Sequence, residues 1–242
     1  MNDSCGTLNE VTAAILIGGL GTRLRSVVPD RPKVLAEIRG RPFLAFLLEQ
    51  LTATGIKRVV LCSGYRGKQV QAVFGNSYGA TEILYSQEAS PLGTGGAIRL
   101  AINLIGSDPV LVMNGDSFMD VDLAAYLRWF LQKDLEASMV LAYVPDTSRF
   151  GRVTTDEQER ILGFGEKGAH HGPGWINAGI YLLKQNFLRA IPSGRLVSIE
   201  KEIFPAWVSH GLYGYKTEGR FIDIGTPDSY AMAEAFLLNS ES

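Results

Sequence analysis

Ala14-Ile15-Leu16-Ile17-Gly18-Gly19-Leu20-Gly21-Thr22-Arg23-Leu24, with Pro32-Lys33 shortly downstream, decides the fold. The apolar start reads as a buried strand, and the Gly-rich turn with its one Arg reads as a phosphate-binding loop delivered by that strand. Glycines let backbone N–H groups approach a polyphosphate with no Cβ in the way, Thr22 adds a hydroxyl, and Arg23 offers a planar fork for two oxygens. Lys33 supplies a point charge to the same anion. The same turn could simply reverse the chain. Two familiar phosphate loops are excluded, because the Gly-Lys-Ser/Thr ending of a P-loop is missing and the spacing is not G-x-G-x-x-G.

Working outward, apolar strands expected at 12–17, 57–62, 81–86, 109–114 and 137–144 alternate with helices expected at 42–54, 66–74, 94–105 and 122–134. That is the βαβ rhythm of a mostly parallel sheet covered on both faces, an α/β Rossmann-like three-layer fold. Leu44, Leu47, Leu48 and Leu51 fall at i, i+3, i+4 and i+7 and give their helix one apolar stripe. After Pro145 come shorter strands at 150–155, 160–164, 175–183 and 211–217, then a helix at 227–238. No linker separates the two parts, so 12–242 reads as one domain whose halves meet at about 145. Residues 1–11 read as a loose polar tail.

With 46% hydrophobic residues in 242, the chain can bury a sizeable core. Its 23 basic and 25 acidic residues exclude the broad basic field that duplex nucleic acid requires. No apolar run approaches the ~20 residues that span a bilayer, and the N-terminus lacks the basic start of a signal peptide. Cys5 and Cys62 make no disulfide framework, which suits a cytoplasmic chain, and Cys62 is expected as a small core residue. His170, His171 and His210 are too few and badly spaced for a metal site, and His170-His171 reads as an exposed turn.

Ligands of an open parallel sheet sit beyond the carboxyl ends of its strands, where Asn114-Gly115-Asp116-Ser117 and Ile222-Asp223-Ile224-Gly225-Thr226-Pro227 fall. Each Asp alone could be a turn or belong to a helix start, with Thr226 preceding Pro227 at the first helical position. If both meet phosphates, they match the one or two carboxylates that Mg²⁺ takes besides phosphate oxygens. Pro91-Leu92-Gly93-Thr94-Gly95-Gly96-Ala97 opens a helix. Its glycines permit close packing, or allow backbone groups and Gln87 to read a nucleobase lying against Gly93.

Taken together, Gly18, Gly19, Gly21, Thr22, Arg23 and Leu24 followed by Pro32-Lys33 resemble the signature of the sugar-1-phosphate nucleotidyltransferases. The segments at 91–97, 114–117, 165–167, 175–181, 198–205 and 221–227 resemble later elements of that family in order, so the resemblance runs from about 12 to 235. It implies the nucleotide-diphospho-sugar transferase type of fold, with a nucleotide-binding first half and a sugar-binding second, and the reaction of an NTP with a sugar 1-phosphate to give an NDP-sugar and pyrophosphate. It implies Arg23, Lys33, Asp116 and Asp223 as the catalytic set, with Mg²⁺ on Asp116 and Asp223. The nucleotide would meet Leu16, Gly18, Gly19, Gly21, Thr22, Gln87, Gly93 and Thr94. The sugar phosphate would meet Gly115, Glu166, Lys167, Asn177 and Gly179. Partners are those two substrates, with no nucleic acid or membrane, and a homodimer is admitted. The run 25–33 and Gly40-Arg41-Pro42-Phe43-Leu44 look most like the D-glycero-α-D-manno-heptose 1-phosphate guanylyltransferase branch. Val34 departs from a proline frequent after the lysine.

Alternatives stay open. Mannose, glucose or N-acetylmuramate 1-phosphate could be the acceptor, with GTP, UTP, dTTP or CTP as donor. The chain could instead be a non-catalytic nucleotide-sugar-binding subunit. A glycosyltransferase would need a D-x-D metal motif, whose only match, Asp120-Val121-Asp122, sits where helix capping explains it.

Overall fold

The computed structural model describes residues 7–238 without Leu20, Arg25, Ser26, Tyr65 and His170, and without the side chains of Thr22 and Leu238. The readings made for Cys5 and His170 lie outside the described residues, while His171 is exposed.

In chain order come β1 (Thr12–Leu16), the hairpin β2 (Glu37–Ile38) and β3 (Arg41–Pro42), α1 (Phe43–Ala53), β4 (Arg58–Ser63), α2 (Gly67–Phe74), β5 (Ser77–Tyr78) and β6 (Thr81–Gln87). Next are α3 (Gly93–Leu100), β7 (Val110–Asn114), β8 (Ser117–Met119), α4 (Leu123–Gln132) and β9 (Ala137–Val144). The second half adds β10 (Val153–Thr155), β11 (Ile161–Phe164), β12 (Gly174–Leu183), α5 (Gln185–Ala190), α6 (Phe204–Trp207), β13 (Leu212–Thr217), β14 (Phe221–Asp223) and α7 (Pro227–Leu238).

Eight strands form one sheet in the order β13-β9-β12-β7-β1-β4-β6-β5. β1, β4, β6 and β7 run parallel, β13 is parallel to β9, and β12 lies antiparallel between β7 and β9. The last third of the chain therefore enters the middle of the first half's sheet. Alternation along each strand feeds two cores. Ala13, Ile15, Val59, Leu61, Leu111 and Met113 pack on one face with Leu44, Leu47, Leu48, Leu51, Tyr126 and Phe130 from α1 and α4. Ala14, Val60, Cys62, Val110 and Val112 pack on the other with Ile98, Phe187 and Phe204. The three-layer α/β architecture follows directly, and the four leucines of α1 are fully buried, each worth about 1.5–3 kcal/mol relative to exposure.

Several expectations change in detail. Leu8 and Val11 are buried in the first core, so chain that reads as tail is already docked there; two apolar side chains among polar neighbours are enough to hold it. The helix expected over 94–105 becomes 3-10 at Ala101–Leu104. The strand expected at 150 starts at Val153, because Phe150 and Gly151 both donate to the Thr147 carbonyl in a turn that Gly151 closes at φ +84.

Beneath the sheet, the buried Tyr126 hydroxyl bonds Ser138 Oγ at 2.7 Å and receives the Leu182 N–H at 3.1 Å, tying α4 to β9 and β12. Burial and the Ser138 contact are the main influences on this phenol, and burial pushes its pKa up. Tyr126→Phe strands a backbone donor in the core and is expected to cost about 1–3 kcal/mol in a denaturant titration, with pyrophosphate release per folded molecule unchanged.

Candidate active site

β1 and β7 are neighbours in register, Leu16 opposite Asn114, so the loops that follow them emerge side by side. Gly115 N–H donates to the Leu16 carbonyl at 3.0 Å, and a Cβ on Gly115 would lie 2.8 Å from that oxygen and 3.0 Å from Val34 Cγ1. Only glycine fits there, and Val34 packs directly on it. A cavity of about 460 Å³ opens above this junction, within the ~300–1,000 Å³ usual for ligand sites. Leu16, Gly18, Gly19, Gly21 and the exposed Arg23 line it from the first loop, Lys33 and Val34 from the turn after it, and Gly115 and Asp116 from β7's end. Gly21 takes φ +58 beside Lys33. Thr22's side chain lies outside the described residues.

Charge concentrates at one end. Lys33 stands on a 3-10 turn anchored by the buried Val34 and Leu35, and its Nζ lies 2.7 Å from Asp116 Oδ2. The lysine side chain is only 12% exposed, so its ammonium is held rather than free to wander. β14 pairs with β8, setting Asp223 opposite Ser117, and Ile224 N–H donates to the Asp116 carbonyl at 2.9 Å. This two-stranded ribbon brings together two carboxylates from distant parts of the chain. Burial, and then the charge of Asp116, raises the Asp223 carboxyl above its ordinary range, opposed by Lys33, the Gly225 N–H at 2.8 Å and Arg149. Arg149 Nη2 stands 3.6 Å from Asp223 Oδ1, a cation that sequence reading missed because nothing in Ser148-Arg149-Phe150 marks it.

At the other end, Gly93 and Thr94 line the cavity, but the exposed Gln87 does not; its neighbour Glu88 does. Strand alternation is the reason: Gln87, the last residue of β6, points to solvent, and Glu88 turns in. Glu88 Oε2 receives the Leu92 N–H at 2.9 Å, and burial raises its carboxyl pKa. Cys62, buried as expected, also lines the cavity, and burial, reinforced by Glu88, pushes its thiol up to about 12. Thr94 Oγ1 donates to Glu200 Oε2 at 2.6 Å and receives the Ile199 N–H at 3.0 Å, so its hydroxyl fastens the loop to the π-helical turn Ile199–Ile203. Ser198 caps that turn through Lys201 N–H, and Glu200, which the sequence reading did not single out, reaches the cavity wall.

The remaining expected contacts lie apart from the cavity wall. Glu166 and Lys167 are exposed on the turn after β11, which is fixed by Gly165 N–H to the Arg152 carbonyl at 2.7 Å. Asn177 spends its amide on the β12 bulge, accepting from Gly179 N–H at 2.8 Å and donating to the Tyr181 hydroxyl at 3.0 Å. Gly179, at φ +78, lies where a Cβ would meet Asn114 Nδ2 at 2.8 Å.

No group of three or more His, Cys, Asp or Glu is placed to hold a metal ion among the described residues. Asp116 and Asp223 fit a divalent cation whose other ligands come from phosphate oxygens, since their mutual repulsion is what such a charge relieves. The D-x-D match is structural: Asp122 accepts the Ala125 N–H at 2.8 Å as the cap of α4, and Asp120 pairs with Arg220 at 3.4 Å. Among the described residues, no helix is long and apolar enough to cross a membrane.

Known proteins resemble this chain over most of its length. The D-glycero-alpha-D-manno-heptose 1-phosphate guanylyltransferase of Aneurinibacillus thermoaerophilus is 36% identical over 92% of this chain and 96% of its own. The mannose-1-phosphate guanylyltransferase of Mycobacterium tuberculosis is 37% identical over 95% of this chain, which spans only 65% of that protein's length. The crystal structure of HddC from Yersinia pseudotuberculosis superposes with a TM-score of 0.85 at 32% identity, covering 94% of this chain and 99% of that one, and a second HddC structure holds GMP-PN. A family model described as nucleotidyl transferase matches residues 12–240, and with the Gly-rich loop, Lys33 and Asp116 lining one cavity and Asp223 beside Asp116, the chain belongs to the nucleotidyl transferase family.

Proposed function

We propose that the chain transfers a guanylyl group from GTP to a sugar 1-phosphate, D-glycero-α-D-manno-heptose 1-phosphate, giving the GDP-sugar and pyrophosphate. The observation that carries the chemistry is Lys33 Nζ at 2.7 Å from Asp116 beside Asp223, at the phosphate end of a cavity floored by glycines. What supports a heptose phosphate is the 36% and 35% identity to two D-glycero-alpha-D-manno-heptose 1-phosphate guanylyltransferases, over 92% and 94% of this chain.

The sugar phosphate oxygen is already ionised at neutral pH, so it needs no general base. It bonds to the α-phosphorus of GTP while the bond from that phosphorus to the β-phosphate oxygen breaks, and the electron pair leaves on pyrophosphate. The atoms balance without proton transfer, and attack runs in line with inversion. Two anions must be brought together, so catalysis is positioning and electrostatic stabilisation. Backbone N–H groups of the Gly18–Gly21 loop would hold the triphosphate, and Arg23 would take the leaving pyrophosphate. Lys33, held by Asp116, meets the charge gathering on the α-phosphate, and Lys167 would reach the sugar phosphate from its exposed turn. Mg²⁺ on Asp116 and Asp223 would supply charge neutralisation between the two phosphates. A reduced, buried Cys62 suits a cytoplasmic setting.

Pyrophosphate release with Mg²⁺, measured for five NTPs against heptose, mannose, glucose and N-acetylmuramate 1-phosphates, tests the reading. Turnover is expected with GTP and the manno-heptose phosphate, at least tenfold above any other pair. A strongest signal with mannose 1-phosphate or with UTP overturns the substrate and keeps the reaction. Silence from folded protein across the matrix favours a binding subunit.

A further inference from the structure

Arg149 brings a positive charge to Asp223 that neither the fold nor the chemistry described so far requires. Its Nη2 stands 3.6 Å from Asp223 Oδ1 and donates to the hydroxyls of Thr226 at 3.3 Å and Ser229 at 3.4 Å, all three long contacts. Those hydroxyls already serve each other. Thr226 Oγ1 and Ser229 Oγ lie 2.9 Å apart, Ser229 Oγ receives the Thr226 N–H at 3.2 Å, and Thr226 Oγ1 receives the Ser229 N–H. The first turn of α7 is thus capped without the arginine, and a cation is unfavourable beside that end of a helix. What Arg149 does find there is the carboxylate. Its side chain is 43% exposed against 23% for Asp223, so the guanidinium can leave the contact while the carboxylate stays in place.

The backbone under Arg149 leads toward the second substrate. The Ser148 carbonyl accepts the Gly168 N–H at 2.8 Å, and a Cβ on Gly151 would stand 2.5 Å from the Gly165 carbonyl oxygen. The turn carrying Arg149 is therefore seated on the turn carrying Glu166 and Lys167. On its other side the Phe150 ring meets Phe221 edge-on at 5.5 Å, two residues before Asp223 on β14. We propose that Asp223 is shared: Arg149 competes with the divalent cation for this carboxylate and, once displaced, donates to the phosphate of the sugar 1-phosphate. The inference rests on the metal and sugar-phosphate assignments above and adds the residue that links them. A guanidinium has five N–H donors and fits phosphate oxygens as a fork, so one carboxylate oxygen at 3.6 Å leaves most of that capacity unused. Its charge also favours the ionised form of Asp223, the form that binds a metal, against burial and the repulsion of Asp116.

Two measurements on wild type, Arg149→Gln and Arg149→Lys test this, with cooperative thermal melts as the folding control. Mn²⁺ is titrated into the substrate-free protein and its uptake followed by loss of the free-ion EPR signal, and KM values for manno-heptose 1-phosphate and GTP are taken at saturating Mg²⁺. Arg149→Gln is expected to bind Mn²⁺ about fivefold more tightly, because the competing charge is gone. Its KM for the sugar phosphate should rise by about tenfold or more, with the KM for GTP within about twofold of wild type. The opposite signs are the signature, since an arginine that only braced the fold would weaken metal and sugar phosphate together. Arg149→Lys keeps the charge without the fork, so it should bind Mn²⁺ as wild type does and recover only part of the sugar-phosphate KM. Unchanged or weaker Mn²⁺ binding in Arg149→Gln overturns the proposal, and so does an unchanged KM for the sugar phosphate. Wild type that takes up no Mn²⁺, or Asp223→Asn that takes it up as wild type does, overturns the metal assignment itself and the proposal with it.

Discussion

Asp116→Asn and Asp223→Asn each lose on the order of 10³-fold in kcat for pyrophosphate release at saturating GTP and Mg²⁺, with the fold intact. The amide keeps the shape of the carboxylate, so the β8–β14 ribbon, held by backbone pairing, should survive both changes. What disappears is one of the two negative charges proposed to hold a cation against phosphate. The two variants separate in stability. Asp223 has a folded-state pKa above its unfolded value, owing to burial first and Asp116 second. Its ionisation therefore opposes folding above the folded pKa, a penalty relieved as pH falls through that value. In chelator at neutral pH, Asp223→Asn should melt at or above the wild-type temperature while being nearly inactive, the usual trade at a functional site. Asp116→Asn instead removes the anionic partner of Lys33 and should melt at or slightly below wild type. Near-normal turnover in both would falsify the assignment of these residues as metal ligands.

Most of the fold was legible in the sequence because burial on both sheet faces writes continuous apolar runs. Thr12–Leu16, Val110–Asn114 and Ala137–Val144 read as strands for that reason, and the terminal helix appears at the expected 227–238 because Thr226-Pro227 marks its start: Thr226 Oγ1 receives the Ser229 N–H at 3.3 Å. The short pieces were not legible. Ser117–Met119 and Phe221–Asp223 find each other only through tertiary pairing, and three residues carry no periodicity. The antiparallel position of β12 between β7 and β9 is likewise invisible to a reading of local pattern. At the site, the cavity wall does hold Gly18, Gly19, Gly21, Gly93, Gly115, Lys33 and Asp116, positions that the motif marks at loop turns and strand ends. Gln87 against Glu88 was a matter of one residue, and a one-residue shift at a strand end inverts which side chain faces the ligand. Arg149 and Glu200 reach the site from loops whose geometry depends on the assembled sheet.

Lys33→Ala is expected to lower kcat by about 10²–10³-fold with a much smaller change in the KM for GTP, as removal of a single stabilising donor does when it acts mainly in the transition state. The geometry explains why one lysine should matter so much. Val34 and Leu35 are buried, which fixes the turn, and the 2.7 Å contact with Asp116 fixes the ammonium, so little reorganisation remains when charge shifts onto the α-phosphate. Lys33 also holds down the pKa of Asp223, so its loss leaves the two carboxylates to repel each other with less relief, a role that a bound cation could take over. Two roles are then separable by a metal titration. If Lys33 only steadies the carboxylates, saturating Mg²⁺ restores kcat in Lys33→Ala; if its ammonium meets the reacting phosphate, kcat stays low at every Mg²⁺ concentration. The second result is expected, because a side chain 12% exposed at the cavity wall is oriented for a ligand and not only for its neighbour. Lys33→Arg should rescue poorly: the planar guanidinium is larger than the ammonium and cannot take the same place 2.7 Å from Asp116 as a point charge does.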